Sequence, residues 1–384
     1  MNKAIYLCAA AALAMASCSN DELVEVAKND AINFRTVVGL NTKATEIKTA
    51  NLTTTGVYVT TFDAAGNLLF GETHYTHNGT DWTANQYWGK NASLDFYLTL
   101  PALNDWVTGA SLSATNKTLT GVTVKDEIQD QVDLVAVAKK NVTKTSSAID
   151  VQLEHVLSQI EIRAKNTNEN YKYKIKGVRI NNVVKKGNIN LETLAWTPSA
   201  EKADLKSYEV TYPGHEISVL STDAKPKTLT VKATDTSAED NAMLIPTTTA
   251  TTAWVKTDVS ADGVTAVDGT YISVLVNITT KDNVAVYPKG STTTAETYGW
   301  VAIPVSFEWT RGNKYIYTLD FSKGAGFVDP VDPDDKPADT VKPGTDDPDK
   351  GKPVLGEEIK FKVTVVEWAK GNGEDGADVP MTAN

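Results

Sequence analysis

The chain has 384 residues, 48 of them acidic and 37 basic, for a formal net charge of -11. That acidity argues against nucleic acid or an anionic membrane surface as a partner, and the length accommodates two domains that each bury a core. Hydrophobic residues make up 41% and charged residues 22%, as in a folded soluble protein, and both cysteines, Cys8 and Cys18, lie in the first twenty residues, which leaves the body no disulfide or cysteine metal site.

Residues 1–17 carry Lys3, an apolar run from Ala4 to Ala16, and Ser17 immediately before Cys18. This reads as a secretory signal, since the run is too short to cross a bilayer as a mature helix. Met15-Ala16-Ser17 resembles the box recognised by bacterial lipoprotein signal peptidase, which makes Cys18 the lipidated first residue of the mature chain. A lipidated segment, 18–43, then contains a first strand, "INFRTVV" at 32–38, whose Ile32, Phe34, Thr36 and Val38 point to one side.

From Ala31 to Leu319 short alternating runs rich in Val, Ile, Thr, Tyr and Phe recur between Gly, Asn and Asp turns. They include "GVYVTTFD" (56–63), "LDFYLTL" (94–100), "QVDLVAVA" (131–138), "IDVQLEHVLSQIEIRA" (149–164), "YKYKIKGVRI" (171–180), "KTLTVKA" (227–233), "YISVLVNIT" (271–279), "VAIPVSFEW" (301–309) and "KYIYTLDF" (314–321). The spacing predicts an all-β protein of two antiparallel sandwiches. Helical signals are few, with single turns expected at "HVLSQ" and "NLET". The polar "KNTNEN" (165–170) is the expected boundary between domains at 44–168 and 169–323, though it reads equally as a hairpin loop.

Residues 324–356 change to a Pro/Asp/Lys-rich composition, an expected solvated linker spanning up to roughly 100 Å at about 3.1 Å per residue. Beyond it, residues 357–384 hold a strand of core quality, with Ile359, Phe361, Val363 and Val365 on one side, closed by Trp368. The first strand and this tail strand present nearly the same apolar face, so one groove accepts either. Arg35 lies within the first strand and Lys43 just beyond it, both suited to a trypsin-like protease. A cut after Lys43 releases lipid and first strand together and opens a groove that a neighbour's tail strand fills by strand addition. The competing expectation is that the tail folds back onto its own sheet.

Catalytic and metal-binding signals are weak, and neither an enzyme nor a cofactor or metal site is expected. His74, His77, His155 and His215 are scattered, and His74 and His77 point to opposite faces of a strand. His155 is expected as a hydrogen-bonded, partly buried imidazole. No phosphate-cradling glycine loop and no nucleophile elbow is present. Trp82, Trp88 and Trp106 with Tyr75 and Tyr87 support a rival reading, a surface glycan-binding lipoprotein that stacks sugars on exposed aromatics.

Taken in order, "CSNDE" at the start, "TKAT" around Lys43, "LEHVLSQIEI" (153–162), "AMLIP" (242–246), "WTRGNKYIYTLDF" (309–321) and the Asp/Pro tether before "VTVVEW" (363–368) resemble the fimbrillin family, the type V pilins of Bacteroidales. The resemblance implies two transthyretin-like sandwiches with a tethered C-terminal strand. It further implies a structural subunit of adhesive fimbriae at the outer-membrane surface, exported as a lipoprotein and marked for that surface by the acidic Ser19-Asn20-Asp21-Glu22 tag. Its partners are other copies of itself and related fimbrial subunits, a maturation protease, and the membrane through its lipid before processing. The chain departs from the family at the processing site, where Lys43 stands for an arginine, so Arg35 remains a second candidate and an uncut chain would act as an anchor.

Overall fold

Alternation fixes which face of each strand is buried, because a one-residue slip would turn every apolar side chain to solvent. The computed structural model describes residues 30–38, 49–254, 268–292, 295–329, 349–356, 359–368 and 377–379. In chain order the strands begin with β1 (Ala31–Val38), β2 (Val57–Asp63), β3 (Leu68–His77), β4 (Trp82–Tyr87), β5 (Ser93–Leu100), β6 (Thr118–Thr123), β7 (Val135–Thr143) and β8 (Ile149–His155). They continue as β9 (Ser158–Lys165), β10 (Tyr171–Val184), β11 (Lys186–Asn190), β12 (Ala195–Pro198), β13 (Leu205–Thr211), β14 (Ile217–Val219), β15 (Lys227–Thr228), β16 (Val231–Lys232) and β17 (Asp235–Glu239). The last are β18 (Ala242–Leu244), β19 (Tyr271–Thr280), β20 (Ala285–Tyr287), β21 (Gly299–Pro304), β22 (Asn313–Asp320), β23 (Phe327–Val328), β24 (Lys360–Glu367) and β25 (Ala377–Val379).

The protein is all-β, as expected, but its first unit is not an open antiparallel sandwich. Its strands close in the order β1-β4-β3-β2-β5-β7-β8, and β1 runs parallel to β8. Ile32, Phe34, Val57, Val59, Tyr75, Trp82, Trp88, Phe96 and Leu98 fill its interior. A short helix, α1 (Thr49–Thr55), follows the first strand despite its β-branched threonines. Leu52 is fully buried, and Gly56, at φ +73, ends the helix where a Cβ would lie 2.4 Å from the Tyr75 carbonyl oxygen.

The second unit has two main sheets, β13-β10-β19-β21-β23 and β15-β9-β22-β24-β25. One apolar cluster joins them, including Ile160 and Ile162 of β9, Ile175 and Val178 of β10, Val274 and Val276 of β19, and Tyr317 and Leu319 of β22. Both units tie a first strand parallel to a late one, β1 to β8 and β9 to β22. Sheet membership changes between His155 and Ser158, so "HVLSQ" is the joint between units rather than a helical turn. "KNTNEN" is the loop that carries the chain from β9 to β10. Residues 101–134 leave the first unit, and their β6 pairs with β11 of the second.

The proline-rich stretch is folded at both ends. Ala325, Val328 and Val354 donate their N–H groups to Leu355, Lys352 and Gly326, which closes 325–328 against 351–355. Phe327 packs edge-on against Trp254, with ring centroids 5.8 Å apart. Asp329, 1% exposed, accepts from Ser273 Oγ at 2.6 Å and pairs with Arg179 at 3.3 Å. The expected linker 324–356 is therefore anchored in the body, and residues 330–348 lie outside the described set. Composition pointed to solvent because the prolines and charges outnumber the few apolar anchors.

Glu161 on β9 is fully buried, with its carboxylate 2.5 Å from Arg163 Nε and 2.6 Å from Lys314 Nζ of β22. Burial alone would raise its pKa, but Lys314 and Arg163 outweigh that and hold it below the ordinary glutamate range. A depressed folded-state pKa contributes stability that is present above the unfolded value and lost as pH falls through the folded one. Unfolding free energy should thus fall on acidification below about pH 4.5. Urea titrations across that range should give Glu161→Gln a shallower acid limb than the parent chain.

Candidate functional site

The first strand, β1, is held on both sides. It pairs antiparallel with β4 through Asn33↔Thr83 and Phe34↔Trp82, and parallel with β8 from Phe34↔Ile149 to Val38↔Leu153. Its entry is fixed where Asp30 accepts the Trp88 N–H and pairs with Lys144 at 2.8 Å. Period-2 alternation turns Ile32, Phe34 and Thr36 inward as expected, and all three are buried. Phe34 is clasped edge-on by Tyr75 at 5.1 Å and Phe96 at 5.2 Å. The Thr36 hydroxyl is buried without a hydrogen-bond partner. The Val38 side chain lies outside the described residues, as do Cys18 and Lys43.

Arg35 points outward from the middle of β1 and is half exposed. Its guanidinium reaches Asp81, in the turn before β4, at 3.4 Å and Asp150 of β8 at 3.5 Å. Removing β1 would leave the edges of β4 and β8 unpaired, a template for another strand.

The tail strand lies on its own chain. All eight residues of β24 pair antiparallel with β22, from Lys360↔Asp320 to Glu367↔Asn313, and β25 covers its other side. Ile359, Val363 and Trp368 are buried, whereas Phe361 and Val365 are only half-buried against the core. Phe361 meets Tyr317 loosely, with ring centroids 6.5 Å apart. The structure thus places the tail in the fold-back position, with β1 and β24 in different units. Because Gly324 and Gly356 form a bridge just ahead of it, the tail strand does not start from the far end of a long tether.

An anchor that sequence reasoning missed locks the end of the tail. The Trp368 ring stacks on His155 at 4.4 Å and 6°, and the residue's backbone N–H donates to the Gly312 carbonyl at 2.9 Å. His155 is buried and its Nδ1 lies 2.8 Å from Asp133, so the expected hydrogen-bonded imidazole is present. Alternation marks Trp368 as the strand's end but cannot name its partner 213 positions away. Elsewhere, His74 bonds the Thr55 carbonyl through Nε2 at 2.7 Å, and His77 leans on Trp82.

The aromatic cluster behind the glycan-binding expectation is core. Tyr75, Trp82, Trp88 and Trp106 are buried, leaving Tyr87 as the exposed member, so these tryptophans offer no platform to a sugar ring.

A family model described as fimbrillin-like matches residues 42–332. That span excludes both β1 and β24. No curated protein matches the chain. Among solved structures, a fimbrial protein from Bacteroides vulgatus is similar at 16% identity, covering 88% of this chain and 99% of that one, with a TM-score of 0.54. A putative cell adhesion protein from Bacteroides eggerthii covers 88% and 96% at 13% identity and a TM-score of 0.47. One from Bacteroides uniformis covers 88% and 98% at 15% identity and a TM-score of 0.40.

Proposed function

The chain belongs to the fimbrillin-like family, and from that premise we propose that it is a structural subunit of adhesive fimbriae at the outer-membrane surface. It is exported as a lipoprotein through Cys18, trimmed by a protease, and polymerised by strand exchange with other copies of itself and related subunits. The observation that carries this reading is β1, a single terminal strand that completes a closed sheet and whose loss would bare two edges and the pocket of Phe34.

The surroundings of Arg35 weigh against it as the cut site, and we take Lys43 as the candidate. Proteases take substrates as unpaired extended chain, whereas Arg35 sits mid-strand with ladders on both sides and two ion pairs. The residues assigned to donation are Ile359, Phe361, Val363 and Val365, with Trp368 at the strand's end, and all must first leave the sheet of β22. Ile32, Phe34, Thr36 and Val38 are the displaced set.

The test is mass spectrometry and N-terminal sequencing of the surface form, alongside gels of unheated samples. A mature N-terminus at Ala44, lost in Lys43→Gln together with the polymer ladder, is the expected result. An N-terminus at Thr36 would move the cut to Arg35, and an intact lipidated chain incorporated into filaments would make the protein an anchor. Soluble matured monomers that never form ladders would reject the fimbrial reading.

A further inference from the structure

We propose that the β1 slot is keyed to the tail strand of a second copy of this chain in one register, Phe361 in the place of Phe34, and that β1 is the weaker of the two occupants. The inference rests on the strand-exchange reading and specifies its partner and alignment. Superposing the phenylalanines puts Ile359 on Ile32, Lys362 on Arg35, Val363 on Thr36 and Val365 on Val38. The inward positions of Ile32, Phe34 and Thr36 then all receive an apolar side chain.

Three observations distinguish this register. Thr36 leaves a buried hydroxyl with no hydrogen-bond partner, and Val363 replaces that hydroxyl with a methyl group in the same branched shape, removing an unsatisfied polar atom from the core. Phe34 is fully buried between two aromatic edges, while Phe361 in its own chain is half-buried against one loosely placed ring. The donor phenylalanine therefore gains contact on moving.

The third observation is electrostatic. Asp81 and Asp150 flank the outward position that Arg35 occupies, at 3.4 and 3.5 Å. Lys362 is exposed and brings a cation to that same position between the two carboxylates. A shift of one residue would bring Phe361 or Val363 there instead and turn the apolar face outward. A shift of two would place Lys360 or Thr364 between the aspartates and misalign Phe361 with its pocket.

While β1 remains tethered, its high effective concentration keeps it in the slot even as the poorer occupant. Cleavage removes that advantage and the better strand wins. The incoming β24 runs in the direction of β1, parallel to β8.

The test uses the full chain cleaved after Lys43. The cut removes Cys8 and Cys18, so no native thiol remains. In the proposed register Thr364 takes the place of Val37, which pairs with Gln152. In its own chain Thr364 pairs with Ile316 in another sheet. Thr364→Cys with Gln152→Cys should therefore give a covalent ladder between copies with a short bismaleimide, only after the cut. Lys362→Glu should slow assembly about tenfold, and adding Asp150→Lys should restore part of the rate. A synthetic peptide of residues 357–370 should cap growing ends, and its Val363→Thr version should need about tenfold more peptide for the same effect. Ladders that assemble without this crosslink, or that ignore both the charge swap and the peptide substitution, would overturn the keyed register and leave strand exchange standing. Cleaved chains that never assemble would overturn both.

Discussion

Replacing Phe34 by alanine is expected to lower the unfolding free energy of the intact chain by about 3–5 kcal/mol. The side chain has no exposed surface and two edge-to-face partners, Tyr75 and Phe96, so truncation leaves a cavity at the centre of the first unit. The effect should exceed that of Phe361→Ala, which removes a half-buried ring and should cost about 1 kcal/mol. The measurement is a pair of urea titrations followed by tryptophan fluorescence. Trp82 and Trp88 share the Phe34 cluster and report on it directly. A second consequence separates slot opening from general weakening. Because β1 alone closes the path between β4 and β8, a loosened β1 should let uncut Phe34→Ala chains assemble slowly where the uncut parent does not. Equal losses for the two phenylalanines would contradict the assignment of the deeper pocket to β1.

The two terminal strands were legible because Ile32, Phe34 and Thr36, like Ile359, Phe361 and Val363, alternate cleanly with polar residues. Alternation reports the buried face of a strand and is silent about its neighbour. The parallel pairing of β1 with β8, and hence closure of the first unit, depends on contacts more than a hundred residues apart. The same silence left the tail's position open between its own sheet and another's. Composition misled at the linker, where Phe327, Val328 and Asp329 anchor a stretch dominated by proline and charge. At Trp82, Trp88 and Trp106 composition allowed both a core and a binding face, since tryptophan suits either, and burial decides for the core. The helix α1 escaped notice because "TANLTTT" has strand-like composition, and Leu52 packing decides its state. Within the candidate site, Arg35 was visible as a basic residue, but its role between Asp81 and Asp150 required the turn before β4 and the start of β8 to converge.

Trp368→Ala should be the most disruptive change in the tail, at about 3–5 kcal/mol. The indole is 1% exposed and lies flat on His155, so its loss uncovers a buried imidazole and its partner Asp133 as well as removing apolar contact. Ile359 and Val363 are buried too, but Trp368 fixes the end of the strand, where fraying would begin. Strand exchange requires β24 to leave β22, and the population of the released state rises tenfold for each 1.4 kcal/mol removed from the docked one. If even half of the loss falls on docking rather than on the body, release becomes at least about tenfold more frequent. In the keyed register, alignment of Val365 with Val38 carries Trp368 past the end of β1, so the substitution weakens the docked tail without weakening the strand as a donor. The expected result is therefore opposite in sign for stability and assembly. The intact variant unfolds at lower urea and exchanges its β24 amides faster, while the cleaved variant polymerises faster than the parent. Slower polymerisation of the cleaved variant, with its body still folded, would mean that Trp368 binds in the neighbour's slot as well and that the docked tail is not what limits assembly.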